Sequence, residues 1–468
     1  MRIKGFHWIA RTSLAVVLSI TLTGCIARPD GNGATGGTGT DAPKTITIWR
    51  PFDSEEVFAP IISEFKLDNP NVTIVYKQIP ADEYELVVSE ALAAGQGPDI
   101  WSIRNDWVPR HKDKLIPMQD GLLGNYAKNL ATDEERLKAL FVPIVATDVF
   151  VDGKVYGLPY YVDPLVIFRN KAVFDAKITQ LIRADRDADA DFLREGFNTY
   201  DKLQRAVQLL TERNGADISI AGLAAGTSNN ITRAEDVVYA MMLQNGTEMI
   251  SPERTGASFH LGKQNAVGQT AFLGTEALQR FTNFADPGQP YYTWNASMPN
   301  DITAFIQNKA AMIFGYQYYQ LAFEQQAPNL QFSTMPFPQV RDTDTPVDYA
   351  SYYVETVTKN ADDPVLAWEV LTNLVMERGD KYRQADGRPN PKVVNSPPTV
   401  IERAEPINPF NYEQQTAVDW YKSKRADKVD TIFRELIQQV GTRQRVPQNA
   451  IEAAAQEVST LLQKEQAQ

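Results

Sequence analysis

Aromatic rings and short polar side chains occur together just past two alternating apolar stretches. Trp49-Arg50-Pro51-Phe52-Asp53 follows Thr45-Ile46-Thr47-Ile48, and Trp101 opens a segment that runs on to Asn105-Asp106-Trp107. Indole faces stack on the apolar faces of sugar rings, and amide or carboxylate groups exchange hydrogen bonds with hydroxyls. Trp49, Arg50, Asp53, Trp101, Asn105 and Asp106 are therefore candidates for gripping a polyhydroxylated solute. Each also has a plainer reading. The tryptophans could fill a core, and Asp53, three residues before Glu56, could be a helix cap.

Catalysis finds less footing. The chain has no His-Glu-x-x-His run, no phosphate-cradling Walker loop and no Gly-x-Ser-x-Gly elbow. Past the first residues only His111 and His260 remain, far apart. Asp185-x-Asp187-x-Asp189-x-Asp191 invites a calcium loop. Its sixth and twelfth positions, however, are Ala190 and Gly196 where Gly and Glu are needed, so it reads as a solvated acidic run. No metal or cofactor is expected. With 58 acidic residues some carboxylate pair is always available, so a glycoside hydrolase is the enzyme-class rival. The formal charge of -12 argues against nucleic acid, which is bound by neutralising phosphates. Few Lys or Arg fall in the candidate segments, which also argues against a phosphorylated ligand.

The elements that must position these residues follow from periodicity. Thr45–Trp49 and Val72–Tyr76 alternate as strands, and Ile100–Ile103 reads as a third. Phe58, Ile61, Ile62 and Phe65 recur at helical spacing between the first two, and Tyr84, Val87, Val88, Ala91 and Leu92 between the second and third. The order βαβαβ predicts a parallel sheet with helices on its faces. Further strands are predicted at Pro164–Phe168, Ile218–Gly222, Ala310–Gly315 and Val354–Val357, and helices at Val365–Met376 and through the C-terminal 430s to 461. At one domain per ~150 residues, the 468 residues make two or three domains.

The N-terminus carries its own signal. Arg2, Lys4 and Arg11 precede the apolar run Ser13–Ile20, which is too short to span a bilayer at ~20 residues, and Leu22-Thr23-Gly24-Cys25 follows. This resembles the lipobox of bacterial lipoproteins. The resemblance implies a signal peptide over 1–24 and acylation of Cys25, the single cysteine. Residues 25–43, rich in Gly and Thr, would be a flexible linker of ~20 Å reach.

The ordered set then resembles the extracellular solute-binding proteins of ABC importers, in their maltose-binding-like branch. It comprises Ile46-Thr47-Ile48-Trp49, Asp68-Asn69-Pro70-Asn71-Val72, Gly95-Gln96-Gly97-Pro98-Asp99-Ile100, Val155-Tyr156-Gly157-Leu158-Pro159-Tyr160, Asn308-Lys309-Ala310-Ala311-Met312 before Gly315, and Asp363-Pro364 before Ala367-Trp368-Glu369. The resemblance implies an α/β, two-lobe, type II periplasmic-binding-protein-like fold, each lobe a mainly parallel sheet flanked by helices. Three interlobe crossings are implied, near Pro159–Asp163, near Tyr349–Tyr353 and within Val393–Pro409. Lobe I would then be 44–159 with 350–400, and lobe II 160–349 with 401–468. It further implies Tyr160, Tyr161 and Asp163 at the first crossing, Asn229 in a polar turn, and Tyr316, Gln317 or Tyr318 after Gly315 as ligand contacts. Tyr352 at the second crossing is a contact or hinge packing. The function implied is a monomeric, lipid-anchored, extracytoplasmic binder that passes a carbohydrate to an ABC permease. A sensor or adhesin ectodomain on the same fold is the alternative.

Overall fold

The computed structural model describes residues 43–215, 217–264, 268–341, 345–393 and 408–467. The leader 1–24, Cys25, most of the 25–43 linker and nearly all of the third expected crossing lie outside the described residues.

The elements that place the site are, in order, β1 (Lys44–Arg50), α1 (Glu55–Asp68), β2 (Val72–Gln78), α2 (Tyr84–Ala93), β3 (Ile100–Arg104), β4 (Leu115–Ile116), α3 (Pro143–Val149) and β5 (Val166–Asn170). Then come α4 (Ala234–Gln244), β6 (Met312–Gly315), β7 (Phe332–Met335), β8 (Tyr353–Thr358), α5 (Pro364–Met376), α6 (Gly379–Asp386), α7 (Ala426–Gly441) and α8 (Pro447–Gln466).

Alternation builds the first sheet. Ile46 and Ile48 turn inward from β1 with Thr45 and Thr47 on the other face. β1 lies parallel to β2 and β3 with Ile48 opposite Ile100. β8 closes on β3 in the opposite direction and carries β4 at the edge, giving the order β2-β1-β3-β8-β4. The second sheet is β6-β5-β7. Here the expectation of a mainly parallel sheet needs amending, because β5 runs antiparallel to both neighbours. Its start, Val166, faces Gly315 at the end of β6, so β5 leaves the juncture of the lobes while its neighbours return to it. Beyond β6, Ala221 and Ala224 bridge parallel to Ala310 and Ile313. A strand's direction depends on its distant partners, which periodicity does not record.

Buried apolar residues form two clusters. One draws on Ile46–Val162, Ala350–Tyr382 and Ala417, the other on Leu165–Tyr349 and Phe410–Leu462. We refer to them as lobe I and lobe II. In lobe II, α4 is buried from Ala234 to Met242, apolar from Val237 onward and with the buried acids Glu235 and Asp236 in its first turn. α7 is one-sided, burying Val429, Phe433, Leu436, Ile437 and Val440. Among the described residues, two of the passages between the clusters run side by side as extended segments. Leu158 bridges Glu355 and Pro164 bridges Ala350, with Leu165 N–H donating to Tyr349 O (2.8 Å) and Ser351 N–H to Asp163 O (3.0 Å). No helix among the described residues is long and apolar enough to cross a membrane.

Candidate functional site

The C-terminal ends of β1, β3 and β6, and the turn after Ala224, all face this double passage, so their loops converge between the lobes, where α/β sheets present their ligand sites. From lobe I, Arg104 ends β3 and donates to Asp106 through Nε (2.5 Å) and Nη2 (2.8 Å). Its Nη2 also reaches Asp430 Oδ2 on α7 of lobe II at 3.0 Å. The guanidinium lies 5.3 Å from the Trp107 ring centre. Phe52, 46% exposed, meets Tyr353 edge-on at 5.1 Å, and Tyr353 in turn meets Trp107 at 6.5 Å. From lobe II, Arg233 holds a left-handed backbone (φ 59°) and grips both oxygens of Asp236 at 2.7 and 2.9 Å. A non-glycine residue in that region is strained and is kept there by its surroundings. Tyr316 OH donates to Asp236 (2.6 Å), Tyr239 OH to Asp430 (3.1 Å), and Arg434 pairs with Glu235 (2.8 Å). Tyr318, 40% exposed, stacks on Tyr316 at 5.8 Å and 11°.

An open pocket of about 480 Å³ lies here, lined by Arg104, Asn229, Arg233, Glu235, Asp430 and Arg434 among others, with no aromatic ring in its lining. Burial works against the charges of Arg104 and Arg233, but their carboxylate neighbours hold both pKa values well above the ordinary one. Burial likewise opposes ionisation of Asp106, yet Arg104 and Lys422 keep it well below the usual carboxylate range. For Glu235 burial prevails over Arg233 and raises its pKa. Each arginine of the wall is paired with a carboxylate. The site is rich in oriented donors and acceptors, with no surplus cation for a phosphate. Among the described residues no group of three or more His, Cys, Asp or Glu side chains could hold a metal ion.

The residues singled out from sequence divide sharply. Asn229 lines the pocket and Tyr318 stands exposed beside Tyr316. Asp106 and Tyr316 lie one layer behind, aiming Arg104 and Asp236. Arg50 and Asp53 are instead buried as an ion pair (2.6 Å), with Glu355 on the other side of the guanidinium and the rings of Phe58, Tyr160 and Tyr382 within 4.9–5.5 Å. The cap expected at Asp53 is not made: the N-cap position falls at Ser54, which forms no side-chain cap hydrogen bond, and the Asp53 carboxylate is taken by Arg50. Trp101, wholly buried, packs on His111 in the lobe I core at 4.6 Å. Trp49 lies half-buried beneath Lys77 Nζ at 4.3 Å. Asp163 accepts from Gln317 N–H (2.8 Å), with Arg388 over the Tyr161 ring beside it. Asn105 and Tyr352 both bond Asp148, away from the pocket.

Arg104, Arg233, Glu235, Asp430 and Arg434 were not among the sequence candidates. Arg104 could have been found, since it ends β3 immediately before Asn105. Asp430 and Arg434, at i,i+4, mark the polar stripe of a helix whose other stripe is apolar. Nothing local announces the left-handed backbone of Arg233.

Two lobes with paired crossings and a charge-paired pocket between them have the form of a solute-binding protein. The chain matches the bacterial extracellular solute-binding protein family over residues 53–380 and belongs to it. A maltotriose-binding protein of Pyrococcus abyssi is 28% identical over 130 residues, 27% of this chain and about a quarter (26%) of that protein's length. In three dimensions the fold is similar to the cyclic alpha-maltosyl-1,6-maltose binding protein of Arthrobacter globiformis (TM-score 0.68, 17% identity, 90% of this chain and 100% of that one). It is similar also to the sugar-binding protein MalE of Xanthomonas citri (TM-score 0.68, 16% identity, 90% and 98%). The type II periplasmic-binding-protein fold is thereby established.

Proposed function

We propose that this protein is the lipid-anchored substrate-binding subunit of an ABC importer and that it holds an uncharged carbohydrate between its lobes. The observation that carries this reading is the pocket between Arg104 of lobe I and Asp430 of lobe II, whose charges are paired within the protein. Fixed guanidinium and carboxylate groups offer hydrogen bonds to hydroxyls from both sides, and the rings proposed to stack on sugar are Trp107, beside Arg104, and the exposed Phe52 and Tyr318. A phosphorylated or sulfated ligand would have to displace Asp430 or Asp236 from an arginine. The names of the Pyrococcus, Arthrobacter and Xanthomonas proteins support the sugar class.

In this reading the chain is held extracytoplasmically by an acylated Cys25 and works as a monomer. The paired segments about 158–165 and 349–355 act as the hinge, and sugar selects the closed arrangement that the permease recognises. The test is a thermal-shift screen of the whole chain with mono- and oligosaccharides, polyols and glycerol phosphates. A saturating sugar at 100 Kd adds about 2.7 kcal/mol to the folded state, a shift of several degrees. A shift from glycerol phosphates alone would overturn the uncharged class.

A further inference from the structure

Away from the sugar pocket, a second cavity of about 430 Å³ opens between the lobes, lined from one side by Asn105, Asp106 and Asp148 and from the other by Asp419, Trp420 and Lys422. Two carboxylates meet in its wall. Asn105 Nδ2 donates at once to Asp148 Oδ2 (2.8 Å) and Asp419 Oδ2 (3.2 Å), and Tyr352 OH donates to Asp148 Oδ2 at 2.7 Å. Asp148 rides on α3, whose Ile144, Val145 and Val149 belong to the lobe I core. Asp419 precedes Trp420, which packs on Tyr239 (5.3 Å) and Phe433 (6.0 Å) in lobe II. Asp419 thus lies between Ala417 of the lobe I cluster and Trp420 of the lobe II cluster, so the pair sits where the chain passes from one lobe to the other.

We propose that Asp148 and Asp419 hold one proton between them at the juncture of the lobes, and that its release to the cavity loosens that juncture, so that lobe opening depends on pH. Every charge facing the pair bears on this. Lys422 Nζ lies 3.4 Å from Asp419 but is shared with Asp106 (3.0 Å) and with the Tyr349 hydroxyl (2.7 Å). One ammonium thus serves two carboxylates, and among the described residues the donors to Asp148 are the neutral Asn105 and Tyr352. Asp430 is occupied with Arg104. Lys112, Asp113, Asp152, Arg254 and Lys424 line the outer cavity. Like charges held this close do not both ionise readily. Burial, then Asp419, pushes the Asp148 carboxyl up to about 8, and burial raises that of Asp419 despite Lys422.

The sign follows from linkage. An unfolded Asp titrates near pH ~3.9. From there to about 8 the folded protein keeps a proton that the unfolded chain has lost, so stability falls with rising pH and levels off above about 8. Asp148→Asn mimics the protonated acid. Its melting temperature should exceed that of the wild type by a margin that grows from pH 5 to pH 8 and is constant beyond. Asp419→Asn, which removes the neighbouring charge, should move the wild-type midpoint down. It is also the fallback if the first variant does not fold. Small-angle scattering of the unliganded whole chain should show a pH-dependent radius of gyration between pH 6.5 and 9 that Asp148→Asn abolishes. Parallel melting curves for wild type and Asp148→Asn would overturn the shared proton. Scattering unchanged with pH in the wild type would overturn its coupling to the lobes.

Discussion

At the scale of single residues the account rests on which side chains are free to meet a solute. Arg104 joins the lobes through Asp430 and is aimed by Asp106. Replacing it with Ala should weaken sugar binding at least ten-fold, about 1.4 kcal/mol, in a calorimetric titration. Trp101→Phe should leave affinity within two-fold while lowering stability by a few kcal/mol, because Trp101 is wholly buried among core residues. The Asp106 carboxyl is held low by Arg104 and Lys422 against the pull of burial. Its stabilisation is present above the unfolded value of ~3.9 and is lost as pH falls through the folded one. Asp106→Asn should therefore melt earlier than wild type at pH 7, with the gap closing in strong acid. The membership of the solute-binding family was legible in the sequence, in the ordered set of motifs from Ile46 to Glu369. The particular site residues were less so. Trp49 and Trp101 stood out by type, yet both lie within strands, and it is Arg104, the last residue of β3, that reaches across to the other lobe.

At the scale of elements, β1-α1-β2-α2-β3 could be read off because each piece repeats its own period. Ile46 and Ile48 alternate, and Phe58, Ile61 and Phe65 wind. The antiparallel setting of β5 between β6 and β7 could not, since it is decided by pairing across more than a hundred residues. Likewise the capping pattern at Asp53 was locally sound and was overridden by Arg50, itself bound to Glu355 on β8. The turn into Thr227–Asn230 depends on Gly226, at φ 109° with the Ala285 backbone nitrogen 2.5 Å from where a Cβ would stand. Gly226→Ala should cost about 1–3 kcal/mol in chemical denaturation. It should also weaken sugar binding, because Asn229 and the residues bonding Gln438 move with the turn.

At the scale of the whole molecule, two separately packed cores with a pair of extended crossings among the described residues between them make relative motion the natural response proposed for a bound solute. The same juncture carries the Asp148–Asp419 pair, so closure answers to pH as well as to ligand. The central claim is that an uncharged carbohydrate is held between the lobes by the Arg104–Asp430 wall. The most direct measurement is a calorimetric titration of the whole chain, wild type beside Arg104→Ala, with the sugars that shift its melting. The account predicts one saturable site per chain, no turnover of the sugar, and at least ten-fold weaker binding to the variant. Equal affinity in the two proteins, hydrolysis of the sugar, or no heat from any carbohydrate would contradict it.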